Sequence, residues 1–267
     1  MIERSNRDLG DGQVLLFLSK IRVQTAAVAV NPIRLRDGAP LENPGTTVRV
    51  HLPRIASLLL SLFLAAIPAC STVPREAPPV QPTSWNCNEE ADRALAQGDV
   101  ETGIRLHQRL LETQPDNALA IYHLGYAYGQ MGDHDREIAC YERAWELGLE
   151  NDELLFNLGM AYGETGRTGK AVQALRKAVK AAPRKADYRV GLGLALESKG
   201  DLGPAARAFQ QAVRLDPSLT DARLFLARVY IQTGQTGPAR EQLLEILQLD
   251  PYHPGARRLL QGLETPG

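Results

Sequence analysis

The chain has 267 residues, of which 44% are hydrophobic, 6% are aromatic and 23 are glycine. This length suits one large domain or two small ones, and the composition favours helices packed through small residues over an aromatic-rich β-sandwich. The formal net charge of −1 gives no basic surface for nucleic acid, and three cysteines are too few for a disulfide scaffold or a cysteine-based zinc module.

The first 47 residues show no repeat and no sustained hydrophobic periodicity, so they predict no folded domain. A signal-like segment follows them, whereas a secretory signal peptide begins a chain. We therefore interpret residues 1–47 as an unstructured or mis-assigned upstream extension, with translation starting near Val48 or Val50.

Residues 55–67 form an uncharged apolar run of 13 residues, IASLLLSLFLAAI, preceded by Arg49 and Arg54. The run is shorter than the roughly 20 residues of a membrane-spanning helix and has the length of the apolar region of a signal peptide. It continues into IPAC, ending at Cys70, which resembles a bacterial lipobox. In that class cleavage occurs before the cysteine, so the resemblance implies a signal peptide over residues 48–69 and lipidation of Cys70.

The residues after this cysteine suit a tether. Ser71 follows Cys70, and in proteobacterial lipoproteins this implies sorting to the outer membrane, facing the periplasm. Residues 70–83 are polar and rich in proline, which is typical of a semi-rigid spacer. The alternative is that residues 55–67 form an ordinary buried or docking helix and that Cys70 is a core cysteine of a cytoplasmic protein.

A 34-residue period runs from residue 84 to residue 253 without insertion or deletion. It divides this part of the chain into five repeats, 84–117, 118–151, 152–185, 186–219 and 220–253. One column of the period is glycine in every repeat: Gly98, Gly132, Gly166, Gly200 and Gly234. Another is proline in all but the second repeat: Pro115, Pro183, Pro217 and Pro251. Turn residues at a constant interval predict a repeated structural unit.

Each repeat is predicted to be two helices joined by a turn. From Ala118 to Met131, apolar residues recur three and four positions apart, which is typical of a helix face. The turn glycine ends such a helix through a left-handed φ. The aspartates that follow it, Asp99, Asp133 and Asp201, are predicted N-caps of the second helix.

The pattern resembles the tetratricopeptide repeat (TPR), which has Leu-Gly, Tyr, a turn Gly, Ala and Pro at these offsets, as in Leu124-Gly125 and Tyr128. The resemblance implies an all-α fold, a right-handed superhelix of about five helix-turn-helix units, because such repeats bury their apolar faces only by stacking. Residues 254–267 are predicted to be a capping helix and tail. We expect its arginines, Arg257 and Arg258, to face outward and its leucines inward.

In the TPR family, ligands lie in a concave groove lined by the first helix of each repeat. The resemblance therefore places these residues in the groove: Tyr122, Tyr126, Phe156, Met160, Val190, Leu194, Leu224 and Arg228. We expect the apolar members to form an exposed stripe that binds a polypeptide, the alternative being that they fill space between neighbouring first helices. Acidic residues are expected at the rim: Glu153, Glu164, Asp187, Glu197 and Asp221.

No catalytic or cofactor motif is found. The chain has no HExxH, P-loop or GxSxG pattern, and Gly191-Leu192-Gly193 lacks the third glycine of a dinucleotide fingerprint. The histidines of the array lack metal-ligand spacing, so we predict no metal site and interpret them as solvated or packing residues: His107, His123, His134 and His253. We expect no disulfide between Cys87 and Cys140. The sequence thus predicts a non-enzymatic protein without a cofactor.

These features predict a lipid-anchored, periplasm-facing scaffold that binds a protein or peptide in its groove and the membrane through Cys70, with neither nucleic acid nor small-molecule substrate as a partner. A lipobox with a short array resembles bacterial TPR lipoproteins of the cell envelope, including the pilus-biogenesis type that assists secretin assembly. Two alternatives stay open: a soluble cytoplasmic TPR adaptor and an accessory subunit of an enzyme complex.

Overall fold

The computed structural model describes residues 86–264, which form eleven α-helices and contain no strand. The helices are α1 (Glu89–Ala96), α2 (Val100–Thr113), α3 (Ala118–Gln130), α4 (His134–Glu146), α5 (Asp152–Glu164), α6 (Thr168–Ala181), α7 (Ala186–Ser198), α8 (Leu202–Leu215), α9 (Thr220–Gln232), α10 (Thr236–Leu249) and α11 (Pro254–Glu264). The predicted upstream extension (1–47), the signal peptide (48–69) and the tether with lipidated Cys70 (70–83) lie outside the described residues.

Helix pairs recur along the chain with the interval of the sequence repeat. The first helices α3, α5, α7 and α9 begin at residues 118, 152, 186 and 220, and each is 13 residues long. Each packs against the second helix of its own pair, against the second helix of the preceding pair and against the neighbouring first helices. The all-α fold of stacked helix pairs that the sequence predicts is confirmed.

The glycine column lies at the turn between the two helices of each pair. All five glycines have φ between 71° and 87°, the left-handed region that L side chains rarely adopt. Asp99 and Asp133 then cap the second helix, each accepting a hydrogen bond at 3.1 Å from the backbone N–H three residues later. Asp201 occupies the same position without making this bond, and its carboxylate accepts a hydrogen bond from Lys199 Nζ at 2.8 Å.

Within each pair, a small residue on the first helix faces a large one on the second. A Cβ added at Gly193 would overlap the ring of Phe209, and one added at Gly159 would lie 2.6 Å from Cγ of Leu175. The helices of these pairs therefore approach more closely than any larger side chain would allow. Phe209 is fully buried in the resulting core.

Successive pairs are joined mainly by aromatic contacts between their helices. The rings of Phe156 and Tyr188 stack with centroids 4.6 Å apart, which links α5 to α7. Phe209 packs against Phe225 at 5.6 Å and links α8 to α9. One hydrophobic cluster extends from Ala118 to Val229, across three helix pairs and the first helix of the next pair, α9.

Helix α11 closes the end of the array. Its leucines pack onto a cluster that contains Leu243 and Ile246 of α10, whereas Arg257 and Arg258 are exposed. The predicted orientation of the capping helix is confirmed. None of the helices between residues 86 and 264 is long and apolar enough to cross a membrane.

Replacing the turn glycine Gly166 with alanine is expected to lower the free energy of unfolding by about 1–2 kcal/mol, measured by chemical denaturation. Gly166 has a φ of 71°, and an added Cβ would contact nothing within 4 Å, so backbone strain alone causes the loss. Gly169 is the matched control, because it lies in helix α6 with equally free space around its Cβ. Gly169→Ala is expected to raise the stability by about 0.5 kcal/mol, and equal effects at both sites would contradict the strain argument.

Candidate functional site

The predicted groove residues lie on the first helices α3, α5, α7 and α9, which contact one another in sequence. Four of the eight are almost fully buried, whereas the sequence predicts that they are exposed. Tyr122, Phe156, Val190 and Leu224 are each at most 1% exposed, so they belong to the core. Their role in contacting a partner stays a prediction, but the continuous exposed apolar stripe is absent from the described residues.

The reason is that consecutive first helices use these positions to pack on each other. The hydroxyl of Tyr122 accepts a hydrogen bond at 3.2 Å from the side-chain amide of Asn157, one helix pair further on. Phe156 of α5 likewise stacks on Tyr188 of the following first helix, α7. Burial raises the pKa of the Tyr122 phenol above its ordinary value, so this hydroxyl stays protonated.

Three other predicted groove residues differ from one another in burial. Tyr126 and Leu194 are buried, whereas Met160 is half-buried. Met160 lies beside Gly191 of α7, where an added Cβ would be 3.0 Å from its Sδ. The absence of a side chain at Gly191 therefore leaves the space that Met160 occupies between α5 and α7.

The acidic residues predicted at the rim are mostly paired between neighbouring helix pairs. Lys185 Nζ lies 2.9 Å from Asp152 and 3.2 Å from Glu153. Arg228 Nη2 lies 2.6 Å from Glu197, and both side chains are largely buried. These ion pairs join neighbouring helix pairs, since Lys185 is the residue directly before α7, and they neutralise much of the acidic character of the rim within the chain.

Asp187 and Arg228 on the first helices each have a polar group without a hydrogen-bond or ion-pair partner among the described residues, as does Arg189 on α7, at its Nε. Asp187, half-buried at the start of α7, accepts no hydrogen bond and forms no ion pair there; burial and the nearby charge of Asp216 raise the pKa of its carboxyl. Nη1 of Arg228 on α9 is a buried donor without an acceptor in the described part of the chain. Unpaired buried polar atoms are rare in native proteins and often mark the place of a ligand.

The fold also brings together four side chains that the sequence analysis did not connect. Asp92 Oδ1 lies 2.7 Å from His123 Nδ1, 3.3 Å from His107 Nε2 and 3.3 Å from Cys87 Sγ. Cys87 Sγ is in turn 3.0 Å from His123 Nδ1. We call these four residues the Cys87 cluster.

Burial sets the protonation of this cluster. Burial and the charge of Asp92 raise the pKa of the Cys87 thiol far above its ordinary value. Burial also lowers the pKa of His107, which favours the neutral imidazole. For Asp92 burial acts in the opposite direction, but the contacts with His107 and His123 outweigh it and leave the pKa well below its ordinary value.

A repeat comparison contains the signal that was missed. In the column of the period that holds His107, the other repeats have Tyr141, Leu175, Phe209 and Leu243. A histidine in an otherwise aromatic or aliphatic core column is a local exception, and its fully buried position confirms that it points into the core. The spacing of residues along the chain does not predict the Cys87 cluster, because Cys87, Asp92 and His123 come from the segment before α1, from α1 and from α3.

A smaller polar group lies between α4 and α5. His134 Nδ1 is 2.8 Å from Glu137 Oε2 and 3.3 Å from Glu164 Oε2. Glu137 is buried because Gly129 leaves room for its carboxylate, where an added Cβ would overlap it. The imidazole of His134 therefore lies within 3.3 Å of two carboxylates, one from its own helix and one from α5.

Family models of the tetratricopeptide repeat match residues 88–148, 156–219 and 196–263. The chain belongs to the tetratricopeptide-repeat family. The matched segments overlap and together span more than half of the chain. They contain the partnerless polar groups and the Cys87 cluster except for Cys87 itself, which precedes the first match by one residue.

Solved structures of TPR proteins share the fold. YrrB, described as a TPR protein with an unusual peptide-binding site, superposes with a TM-score of 0.60 at 23% identity, over 64% of this chain and 88% of YrrB. MamA residues 41 to the end from Desulfovibrio magneticus RS-1 superpose with a TM-score of 0.59 at 22% identity, over 62% of this chain and 93% of that one. At this identity the likeness concerns the fold alone. No curated protein matches the sequence significantly.

Proposed function

We propose that this chain is a non-enzymatic scaffold whose first helices bind a polypeptide segment along α5, α7 and α9. The observation that supports it is that two polar groups of these helices, the half-buried Asp187 carboxylate and the buried Nη1 of Arg228, lack a partner while neighbouring charges are paired. A peptide backbone supplies both a donor for the carboxylate and an acceptor for the guanidinium. Met160, half-buried between α5 and α7, offers a flexible apolar contact on the same set of first helices.

Charge defines the class of partner. Residues 84–253 contain 24 acidic and 19 basic residues, so the array carries a net negative charge. Asp187 adds a carboxylate that is partly removed from water and pairs best with a cationic or N–H donor. The segment that fits this surface is therefore an extended or helical peptide of neutral to basic character.

The double variant Asp187→Asn with Arg228→Lys is expected to reduce partner capture about tenfold in a crosslinked pull-down from native cells, corresponding to roughly 1.4 kcal/mol. Both substitutions keep the size of the side chain, and Arg228→Lys keeps a positive charge for Glu197. The readout is the yield of the same crosslinked partner, identified by mass spectrometry, for wild type and variant.

The matched control carries the same substitution types on second helices. Glu241→Gln with Arg176→Lys alters exposed residues of α10 and α6 and should leave the yield unchanged. Equal capture by the groove variant and the wild type, with both folded by circular dichroism, would refute the proposed surface. An equal loss in the control variant would show that net charge, rather than this surface, determines binding.

We further propose that the scaffold is attached to the outer membrane through lipidated Cys70 and faces the periplasm, where it assists a pilus or secretin-type complex. This proposal is supported by the apolar run of residues 55–67, the lipobox-like IPAC sequence and the Pro-rich segment that separates Cys70 from the first helix. The alternatives are a soluble cytoplasmic adaptor and an accessory subunit of an enzyme complex, and the lipid-labelling experiment in the Discussion separates the anchored form from both.

A further inference from the structure

The Cys87 cluster lies where the other repeats have hydrophobic core. His107 on α2 occupies the column that Leu175 and Leu243 occupy in later repeats, and it is fully buried. His123 on α3 is 4% exposed. The cluster thus joins the segment before α1 with α1, α2 and α3, at the contact between the first two helix pairs.

The hydrogen bonds within the described residues leave this cluster incomplete. Nε2 of His107 contacts Asp92 Oδ1 at 3.3 Å without the alignment of a hydrogen bond, and Nδ1 has no partner in the described part of the chain. The imidazole rings of His107 and His123 lie edge to face, 5.4 Å apart. Burying a ring nitrogen without a partner is unfavourable, whereas the leucines in this column of later repeats bury no polar atom.

The ligand atoms lie at or slightly below the separations of a tetrahedral metal site. One sulfur, two imidazole nitrogens and one carboxylate oxygen lie within 4.8 Å of one another, and the four measured pairs are 2.7–3.3 Å apart. With zinc–ligand distances of 2.0–2.3 Å, ligand atoms in a tetrahedral site are about 3.3–3.8 Å apart. Shifts of a few tenths of an ångström in most pairs, and more for Asp92 and His123, would place the four atoms around one ion.

We propose that Cys87, Asp92, His107 and His123 bind a single Zn²⁺ ion as a structural site. One thiolate, one carboxylate and two neutral imidazoles are all ligands that zinc accepts, and the two negative charges balance the charge of the ion. On binding, the Cys87 thiol releases its proton to solvent and the sulfur donates an electron pair to the metal. Since the protein supplies four ligands, the site leaves no position for substrate.

Such a site would stabilise the first repeat. Helix α1 has only eight residues and few buried side chains, so it contributes little hydrophobic stabilisation of its own. An ion held by the segment before α1 and by α1, α2 and α3 would fasten this end of the array to the second repeat. This inference is independent of the proposed peptide surface, which lies on α5, α7 and α9.

The experiment uses the full chain without a polyhistidine tag, carrying Cys70→Ser so that the protein is not lipidated. After removal of metal by a chelator, Co²⁺ is added and the visible ligand-field bands of tetrahedral cobalt are recorded with the thiolate-to-cobalt charge-transfer band. We expect one equivalent of Co²⁺ to bind and one equivalent of Zn²⁺ to displace it. We also expect bound Zn²⁺ to raise the thermal midpoint of unfolding.

Two variants within the cluster and one outside it make the assignment specific. His107→Leu introduces the residue that the later repeats carry in this column, and Cys87→Ser alters a residue outside any helix, so both are expected to fold. Each should lower the affinity for Co²⁺ at least a hundredfold, and Cys87→Ser should abolish the charge-transfer band. Cys140→Ser alters a free cysteine of α4 and should change neither the affinity for Co²⁺ nor the charge-transfer band.

The absence of tetrahedral bands in the folded parent protein would overturn the proposal, as would unchanged bands in both folded cluster variants. Loss of the bands in Cys140→Ser would also overturn it, because the sulfur ligand would then be the wrong one. None of these outcomes bears on the peptide-binding surface, since the Asp187 and Arg228 variants leave the cluster intact.

Discussion

Replacing Phe209 with alanine is expected to lower the free energy of unfolding of the array by about 3–5 kcal/mol. Phe209 is fully buried, packs against Phe225 of the next repeat and covers Gly193 of its own first helix. Its removal leaves a cavity at a place where the backbone of Gly193 has no side chain to fill it. Chemical denaturation of the full chain, followed by circular dichroism, measures the loss.

Phe209→Leu is the control for this experiment. Leu175 and Leu243 occupy the same column in the neighbouring repeats, so the core of this repeat type accepts leucine there. We expect Phe209→Leu to lose about 1 kcal/mol. If alanine and leucine had the same effect, the contact between the ring and Gly193 would not be the source of the stability.

Replacing Cys70 with alanine is expected to abolish incorporation of radioactive or clickable fatty acid and to release the protein from the membrane fraction. In the proposed anchored form Cys70 is the attachment point of the acyl chains, and its loss would remove the roughly 0.8 kcal/mol that each buried CH₂ contributes to membrane binding. The measurement is lipid labelling and membrane sedimentation of the native protein in its own cells.

Cys140→Ala is the matched control, because Cys140 is a free cysteine on helix α4 whose pKa burial raises to about 11. It should label and sediment like the wild type. A Cys70→Ala protein that still labels would refute the lipobox, and an unlabelled wild type would favour the soluble adaptor or the accessory subunit.

The helix pairs were predictable because their signals are local. A turn glycine followed by a capping residue determines where one helix ends and the next begins, as Gly132 and Asp133 show. The same turn glycine occurs in all five repeats, so the helix boundaries can be predicted even where one repeat departs from the pattern. The orientation of the capping helix could also be predicted from local sequence, because its leucines and its arginines lie on different faces of the helix.

The groove residues were harder to assign because exposure depends on distance between helices, which no single repeat encodes. Tyr122 and Phe156 have the apolar character of a binding stripe, yet they pack on the next first helix. The sequence predicts Asp187 only as a rim acid and Arg228 only as a groove residue outside the apolar stripe, yet the carboxylate of Asp187 and one nitrogen of Arg228 lack a partner. That these groups lack a partner follows only from the positions of the neighbouring charged side chains in the tertiary structure.

The sequence by itself determined the all-α repeat, its period, its turn positions and its cap, because these follow from backbone conformation and helical spacing within a few residues. The tertiary structure alone decided which first-helix side chains are buried. It also brought Cys87, Asp92, His107 and His123 into one cluster across three helices. Stacking places residues 15 to 36 positions apart within hydrogen-bond distance, and chain spacing does not predict which of them meet.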